Sequence, residues 1–202
     1  MDVKLWEKYP LLNTMMKLRM ARFNASERLS NRYRWQSMAL VVFSIYVLGL
    51  SILPKYMPVP IDAKYDVIGF ATAFSSVFVV ALSAYSAFSE DVVRAKYLHD
   101  NAKQVTNIYH QYKLQIDEFE SKGGPSPQTL HFEAEYRKIM DSCPYNHDHI
   151  DYQSIRSEIE KVRGIEKFLI NFRIFLSLYF WPTIAFIGPP VLVAVGYKFF
   201  SA

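Results

Sequence analysis

The stretch VIGFATAFSSVFVVALSAYSAF, residues 67–88, decides the fold of this chain, because it runs for 22 residues without one Asp, Glu, Lys or Arg. Two other stretches share this property: WQSMALVVFSIYVLGLSIL at residues 35–53 and IFLSLYFWPTIAFIGPPVLVAVGY at residues 174–197. Since a hydrocarbon core about 30 Å thick requires about 20 apolar helical residues, all three are predicted to be transmembrane helices. Pro182 and the Gly188-Pro189-Pro190 cluster are expected to kink or break the third.

The rest of the chain is strongly polar, although the average composition hides this. Over 202 residues, 51% are hydrophobic and 21% are charged. All 42 charged residues lie in the 137 positions outside the three stretches, where they make up about 31%, at or above the charge content of soluble proteins. This contrast excludes a soluble single-core protein and a disordered chain.

The distribution of basic residues predicts the orientation. Residues 1–34 carry eight Lys or Arg and residues 89–173 carry twelve, against two in residues 54–66, which places the first two segments in the cytoplasm and the C-terminus outside. The predicted domains are a cytosolic basic N-terminal helix (1–34), transmembrane helix 1 (35–53), a short outer loop (54–66), transmembrane helix 2 (67–88), a cytosolic helical extension (89–173), transmembrane helix 3 (174–197) and a short outer tail (198–202).

The polar segments are predicted to form helices that pack on one another. Apolar residues after the second span alternate at spacings of three and four, typical of a coiled coil or an antiparallel helix pair. This cytosolic helix-pairing stripe consists of Ala95, Leu98, Ala102, Val105, Tyr109, Tyr112, Ile116 and Phe119. Ser126 is predicted to cap a short helix, and Asp151 a helix that returns into the third span. The fold class is therefore an all-α membrane protein with an antiparallel, coiled-coil-like cytosolic extension.

The segment before the first span allows two placements. Its apolar residues, from Leu5 to Phe23, lie near helical spacing and are interleaved with lysines and arginines. Such a helix either lies on the membrane surface or packs against the cytosolic helices.

The spans carry hydroxyl and small side chains in place of charge, and these form the candidate functional face. The candidate pore or helix-packing face consists of Ser37, Ser44, Ser51, Gly69, Thr72, Ala73, Ser76, Ser83 and Ala87. In a bilayer such a face serves close helix–helix packing within or between chains, or lines a water-filled path in an oligomer. Proton relays, voltage sensors and ion-coupled carriers are disfavoured, because they place charges within the membrane.

No motif indicates an enzyme. Phosphate-loop, dinucleotide, zinc-protease and nucleophile-elbow motifs are absent from the sequence, so no catalytic, cofactor or metal site is predicted. The nearest approach to a metal site, Cys143 to Asp151 with two histidines, matches no zinc spacing and is interpreted as a polar turn. The juxtamembrane basic collar of Arg28, Arg32 and Arg34 is expected to meet lipid headgroups, or else an anionic ligand. No direct nucleic-acid binding is expected, since no folded domain concentrates positive charge.

Two runs of residues suggest a family. The run Arg22–Leu29 (RFNASERL) leads into Trp35 and the first span, and the second span is followed by Arg94, Ala95, His99 and Ala102. Over residues 19–120 this pattern resembles the SLATT domain, the SMODS- and SLOG-associating two-transmembrane effector, with the third span as an addition found in a subgroup.

The resemblance implies an antiviral effector of the bacterial inner membrane. On a cytosolic trigger, a partner protein or a nucleotide signal, such a protein is expected to form a homo-oligomer that disrupts or permeabilises the bilayer as a pore and stops growth. The alternative hypothesis is a non-conducting membrane anchor that recruits a cytosolic partner.

Overall fold

The computed structural model describes residues 8–56, 67–159 and 164–200. They form six helices and contain no strand: α1 Pro10–Tyr56, α2 Val67–Phe88, α3 Asp91–Lys122, α4 Thr129–Asp141, α5 His149–Ile159 and α6 Ile165–Phe200. This confirms the predicted all-α class. The greater part of the predicted outer loop, and the last two residues of the predicted tail, lie outside the described residues.

The helix bounds follow from the hydropathy pattern in some places and not in others. α2 has the bounds of the second predicted span, and α3 starts afresh at Asp91. α1 is one helix of 47 residues that continues through the boundary predicted at residue 34. Nothing in its sequence breaks a helix there, because basic residues and the apolar run that follows are both compatible with helical backbone.

Two helical stretches, Pro10–Ile52 and Gly69–Lys122, are long and apolar enough to cross a membrane. A third qualifies if Ile165–Phe180 and Pro182–Gly188 together form one span, and these two parts of α6 are bent by 54°. Pro182 explains the bend, because it has no N–H to donate to the preceding turn. By helix length and composition, the chain is a membrane protein.

The chain divides into two compact units. The polar unit comprises the chain up to Ser30 with Asp91–Ile174, and the apolar unit comprises Asn31–Glu90 with the chain from Phe175 onward. In the polar unit, α1 and α3 run antiparallel, because residue numbers rise on one helix as they fall on the other at successive contacts. These contacts join Tyr9 to Glu120 by a hydrogen bond of 2.6 Å, Arg19 to the Tyr109 ring at 4.2 Å, and Phe23 to the His99 ring at 5.4 Å.

The core of the polar unit lies between α1, α3 and α4. Leu12 and Met15 of α1 pack in one cluster with Tyr112 and Ile116 of α3 and with Phe132 of α4. A second cluster lies further along α1, closer to its apolar segment. It contains Ala25, Leu29, Ala95 and Leu98. The N-terminal segment of the described chain therefore packs against the helices of the polar unit, which decides between the two placements that the sequence allowed.

Two predicted helix starts are wrong. α4 begins at Thr129 with Gln128 at the N-cap position and without a side-chain cap, and Ser126 plays no part. Contacts with α3 place this start, since the Gln128 N–H donates to the Gln115 side chain at 3.3 Å. α5 begins at His149, so Asp151 stands two residues inside the helix, and its carboxylate accepts the Asp148 N–H at 3.1 Å in the manner of a capping box.

The returning helix is also interrupted. α5 ends at Ile159 and α6 begins at Ile165, directly after Gly164, whose φ is +81°. Helical backbone requires negative φ, and glycine adopts the left-handed region without a Cβ clash. The left-handed backbone at Gly164 therefore separates α6 from α5.

The apolar unit is built from the later part of α1, from α2 and from α6. Ala39 and Phe43 of α1 form a buried cluster with Leu82 of α2, and the rings of Phe43 and Phe78 stack at 5.6 Å. The Tyr46 hydroxyl donates to the Phe186 carbonyl of α6 at 3.4 Å.

Two leucines of α3 test the core of the polar unit. Leu98 is 0% exposed and Leu114 is 68% exposed. We expect Leu98→Ala to lower the free energy of unfolding by about 2–5 kcal/mol, because it leaves a cavity. Leu114→Ala, the matched control, should change it by less than about 0.5 kcal/mol. Urea denaturation of the full chain in detergent micelles, followed by circular dichroism, measures both, and equal losses would contradict this core.

Candidate functional site

The candidate face in α2 is turned away from the contacts that α2 makes within its own unit. Ala71, Ser75 and Leu82 are buried among the described side chains of α2. At 100° per residue these three lie on one side of the helix, and positions 69, 73, 76, 80, 83 and 87 are centred roughly 140° away. In agreement, Ala73, Ser83 and Ala87 are exposed, and Gly69, Thr72 and Ser76 are half-buried.

The serines of α1 lie beside its packed surface. Ser37 and Ser44 are half-buried and Ser51 is exposed. The structure therefore does not bring the predicted face together into a contact within the chain. Packing in this unit instead uses positions that the heptad pattern did not select, such as Ala39 and Ser75.

The hydroxyl groups of the face are satisfied within their own helices. Each serine donates to a backbone carbonyl three or four residues earlier, as is common for serine in membrane helices. The bonds run from Ser37 to Tyr33 at 3.0 Å, from Ser44 to Leu40 at 2.9 Å, from Ser51 to Leu48 at 2.8 Å, from Ser76 to Thr72 at 2.8 Å and from Ser83 to Val79 at 2.7 Å. The face is thus compatible with lipid, while each oxygen keeps lone pairs that can accept from water or from another helix.

The basic collar is divided by the fold. Arg34 is exposed and Arg32 is half-buried, whereas Arg28 is 8% exposed and belongs to the polar unit. Arg28 binds Asp151 through two bonds, Nε to Oδ1 at 2.8 Å and Nη2 to Oδ2 at 3.0 Å, and its Nη2 also donates to Asp148. Its guanidinium is therefore engaged in a bidentate ion pair inside the protein.

The ion pair joins two parts of the polar unit that are distant in sequence. Arg28 lies on α1, and both carboxylates lie at the start of α5. Asp151 is 3% exposed and Asp148 is 49% exposed, so the first carboxylate is within the protein and the second is at its surface. A carboxylate at a helix N-terminus also interacts favourably with the helix dipole. We call this group of Arg28, Asp148 and Asp151 the arginine clasp.

A second buried arginine, Arg22, was not predicted from the sequence. It is 2% exposed, donates to the Asn101 side-chain oxygen and has an Nε without a partner. The Asn101 amide nitrogen in turn donates to the Ile139 carbonyl at 2.7 Å. A signal was present in the run Arg22–Leu29, because Arg22, Ala25 and Leu29 recur at spacings of three and four, which is the pattern of a single buried helix face.

The Cys143–Asp151 segment functions as a structural loop. Cys143 and Tyr145 pack against the second core cluster, and the Cys143 thiol donates to the Tyr145 carbonyl at 3.2 Å. Within the described parts of the chain, no three His, Cys, Asp or Glu side chains come together as metal ligands. His147 is half-buried and its Nδ1 has no partner.

The arginine clasp predicts unequal effects for its two carboxylates. Asp151→Asn leaves the buried charge of Arg28 without its main partner, so we expect a loss of about 3–5 kcal/mol in the free energy of unfolding. Asp148→Asn, a matched substitution at a half-exposed position, should cost about 0–1 kcal/mol. Adding Arg28→Met to Asp151→Asn should recover part of the loss, because no unpaired charge remains buried. An equal effect of the two single substitutions in chemical denaturation would contradict the clasp.

His147 predicts a pH dependence of stability. Burial, and then the positive charge of Arg22, lower the pKa of His147 below its usual 6.5. The unfolded chain therefore takes up the proton first as the pH falls, so the contribution of His147 to stability is present above about pH 6.5 and is lost below it. His147→Gln should flatten the fall in unfolding free energy between about pH 7 and pH 5. An unchanged slope would show that other groups cause it.

The comparison with protein families agrees with this architecture of apolar helices and a polar helical unit. The model of SMODS and SLOG-associating 2TM effector domain family 5 matches residues 7–195, which include most of α6. No match was found among curated proteins or among solved structures. Since the match covers nearly the whole chain, the protein belongs to the SLATT family of membrane effector domains, within its family 5.

Proposed function

We propose that this chain is the membrane effector of a bacterial anti-phage defence system. On a cytosolic trigger it oligomerises in the inner membrane and permeabilises it, which arrests growth or kills the infected cell. Membership of the SLATT effector family supports the defence role. The apolar unit supports the mechanism.

One observation carries the proposal: the small-residue face of α2 is left largely uncovered by the described part of the chain. Ala73, Ser83 and Ala87 are exposed, whereas the contacts with α1 and α6 use the opposite side of the helix. Small side chains allow two helix backbones to approach closely, and this gain in packing is the main source of association within a bilayer. The uncovered face therefore fits a second copy of the same helix.

The hydroxyl groups of this face are compatible with a closed state, in which lipid surrounds the helix, and with an open state, in which water passes between helices. Ser76 and Ser83 bond to their own helix, so they are tolerated when lipid surrounds a single chain. In an oligomer their free lone pairs are able to accept from water along a path between helices. No charged side chain in α2 opposes either state, since residues 67–88 contain none.

The distribution of charge supports the orientation of the effector. Basic residues flank the first and third spans on the side of the polar unit, which favours a cytoplasmic N-terminus, a cytoplasmic polar unit and an outer C-terminus. The polar unit then lies in the compartment where an infection signal, a partner protein or a nucleotide, arises. We infer that it receives the trigger.

Substitution of the α2 face tests the mechanism. Ser83→Leu fills the small-residue face and should abolish toxicity, because the helices can no longer approach closely, while insertion persists. Val77→Leu is the matched control, since Val77 is 66% exposed but lies outside the face, and it should remain toxic. Membrane potential and dye entry in bacteria that express each variant with the neighbouring genes measure the effect.

The same assay distinguishes the effector from a membrane anchor. Depolarisation on triggering, lost in Ser83→Leu and kept in Val77→Leu, supports permeabilisation. If no trigger depolarises the cells, while the polar unit still retains a cytosolic partner at the membrane, the chain is a non-conducting anchor and the effector proposal is wrong.

A further inference from the structure

The polar unit contains a buried positive charge that no described residue neutralises. Arg22 is 2% exposed and lies at the contact of α1 with α3. Buried charges in proteins are normally paired with an opposite charge. Arg28, six residues further along α1, follows this rule through its two carboxylate partners. Arg22 departs from it.

The partner of Arg22 is neutral and already committed. The Asn101 oxygen accepts from Nη1 of Arg22, and the Asn101 nitrogen donates to the Ile139 carbonyl at 2.7 Å. No carboxylate of the described chain forms an ion pair with Arg22, and its buried Nε–H has no acceptor. A guanidinium presents five N–H groups in a fixed plane, so the contact with Asn101 leaves most of its binding capacity unused.

A second unpaired nitrogen lies near this charge. The Nδ1 atom of His147 is buried without a partner. The loop that carries His147 packs, through Cys143 and Tyr145, against the cluster that contains Ala25, which lies three residues after Arg22 on α1. The Arg22 charge also contributes, after the larger effect of burial, to lowering the pKa of His147. His147 belongs to the loop between α4 and α5, whose neighbouring residues Asn146 and Asp148 are exposed. Exposed residues of this loop therefore flank His147 on both sides.

We propose that Arg22 and His147 form a binding site for an oxyanion of the phosphate class, which enters at the loop between α4 and α5. The planar guanidinium matches an oxyanion through two parallel N–H bonds, and this geometry favours phosphate over a spherical ion such as chloride. The anion neutralises Arg22, accepts from its Nε–H and gives the imidazole of His147 an acceptor. The site is independent of the proposed pore, because it requires neither a membrane lesion nor an oligomer.

Anion-dependent stability of the full chain tests the site. The protein is placed in nanodiscs of phosphatidylcholine, and inorganic phosphate or pyrophosphate is titrated at constant ionic strength while the unfolding temperature is followed. We expect a saturable rise for the wild type. Arg22→Met should raise the apparent Kd by about 10- to 100-fold, because the charge-assisted bonds to the anion are lost.

Two further variants separate binding at Arg22 from a general effect of charge. Arg19→Met removes one positive charge from the same helix but leaves the site intact, since Arg19 lies over the Tyr109 ring, and it should respond like the wild type. Asn101→Asp places a carboxylate against Arg22 and should suppress the response, because the guanidinium then has an internal counter-charge. Arg22→Gln serves as the second test if Arg22→Met does not fold.

The outcomes are distinct. A saturable response in wild type and Arg19→Met that is lost in both Arg22 variants supports the site. A response confined to nanodiscs that contain phosphatidic acid, and equally dependent on Arg22, assigns the phosphate group to a lipid headgroup instead of a soluble molecule. No saturable response in the wild type, or an equal response in the Arg22 variants, overturns the proposal. Toxicity does not enter the assay, so failure here leaves the effector function untouched.

Discussion

The contact between α1 and α3 is the interaction on which the polar unit depends. The apolar residues of α3 cannot be buried by α3 itself, and α4 covers only part of them through Phe132. The remainder is covered by Leu12 and Met15 of α1. Burial of large side chains between helices is the dominant favourable term in such a unit. The pairing of α1 with α3 therefore sets the positions of the other side chains on these two helices.

The buried arginines are a consequence of that pairing. Because α1 turns one face toward α3 for several turns, the long side chains on that face cannot reach solvent in the usual way of surface arginines. Arg28 obtains Asp148 and Asp151 from the start of α5, and Arg22 obtains only the neutral Asn101. Two arginines six residues apart on one helix thus have different electrostatic environments. The difference arises from the loops and helices that pack beside them.

The apolar unit shows how one helix presents different surfaces on its two sides. Ala71, Ser75 and Leu82 of α2 are buried, Leu82 in a cluster with Ala39 and Phe43 of α1, whereas Ala73, Ser83 and Ala87 on the small-residue side are exposed. Ser75 and Gln36 are buried in this unit without hydrogen-bond partners. An unpaired polar group in an apolar environment raises the free energy of the folded state. Ser75 and Gln36 would therefore be stabilised by a rearrangement that supplies a hydrogen-bond partner, or by water. That property fits the proposed change of the effector between a closed and an open arrangement.

The helical class, the apolar stretches and the family follow from the residues alone, because hydropathy and helix-breaking residues act on each segment separately. α2 has its predicted bounds, and Gly123, at φ +62°, follows the end of α3 as a glycine commonly does after a helix. Which surfaces meet depends on the packing of distant segments. In the folded chain, the N-terminal part of α1 packs against α3, and Arg28 belongs to the arginine clasp instead of the basic collar. Arg22 is buried, and in α2 Ser75 is buried instead of Ser76. These outcomes depend on pairing between segments more than 70 residues apart, such as Arg22 with Asn101 and Arg28 with Asp151, and a periodic pattern within one segment contains no information about its partner.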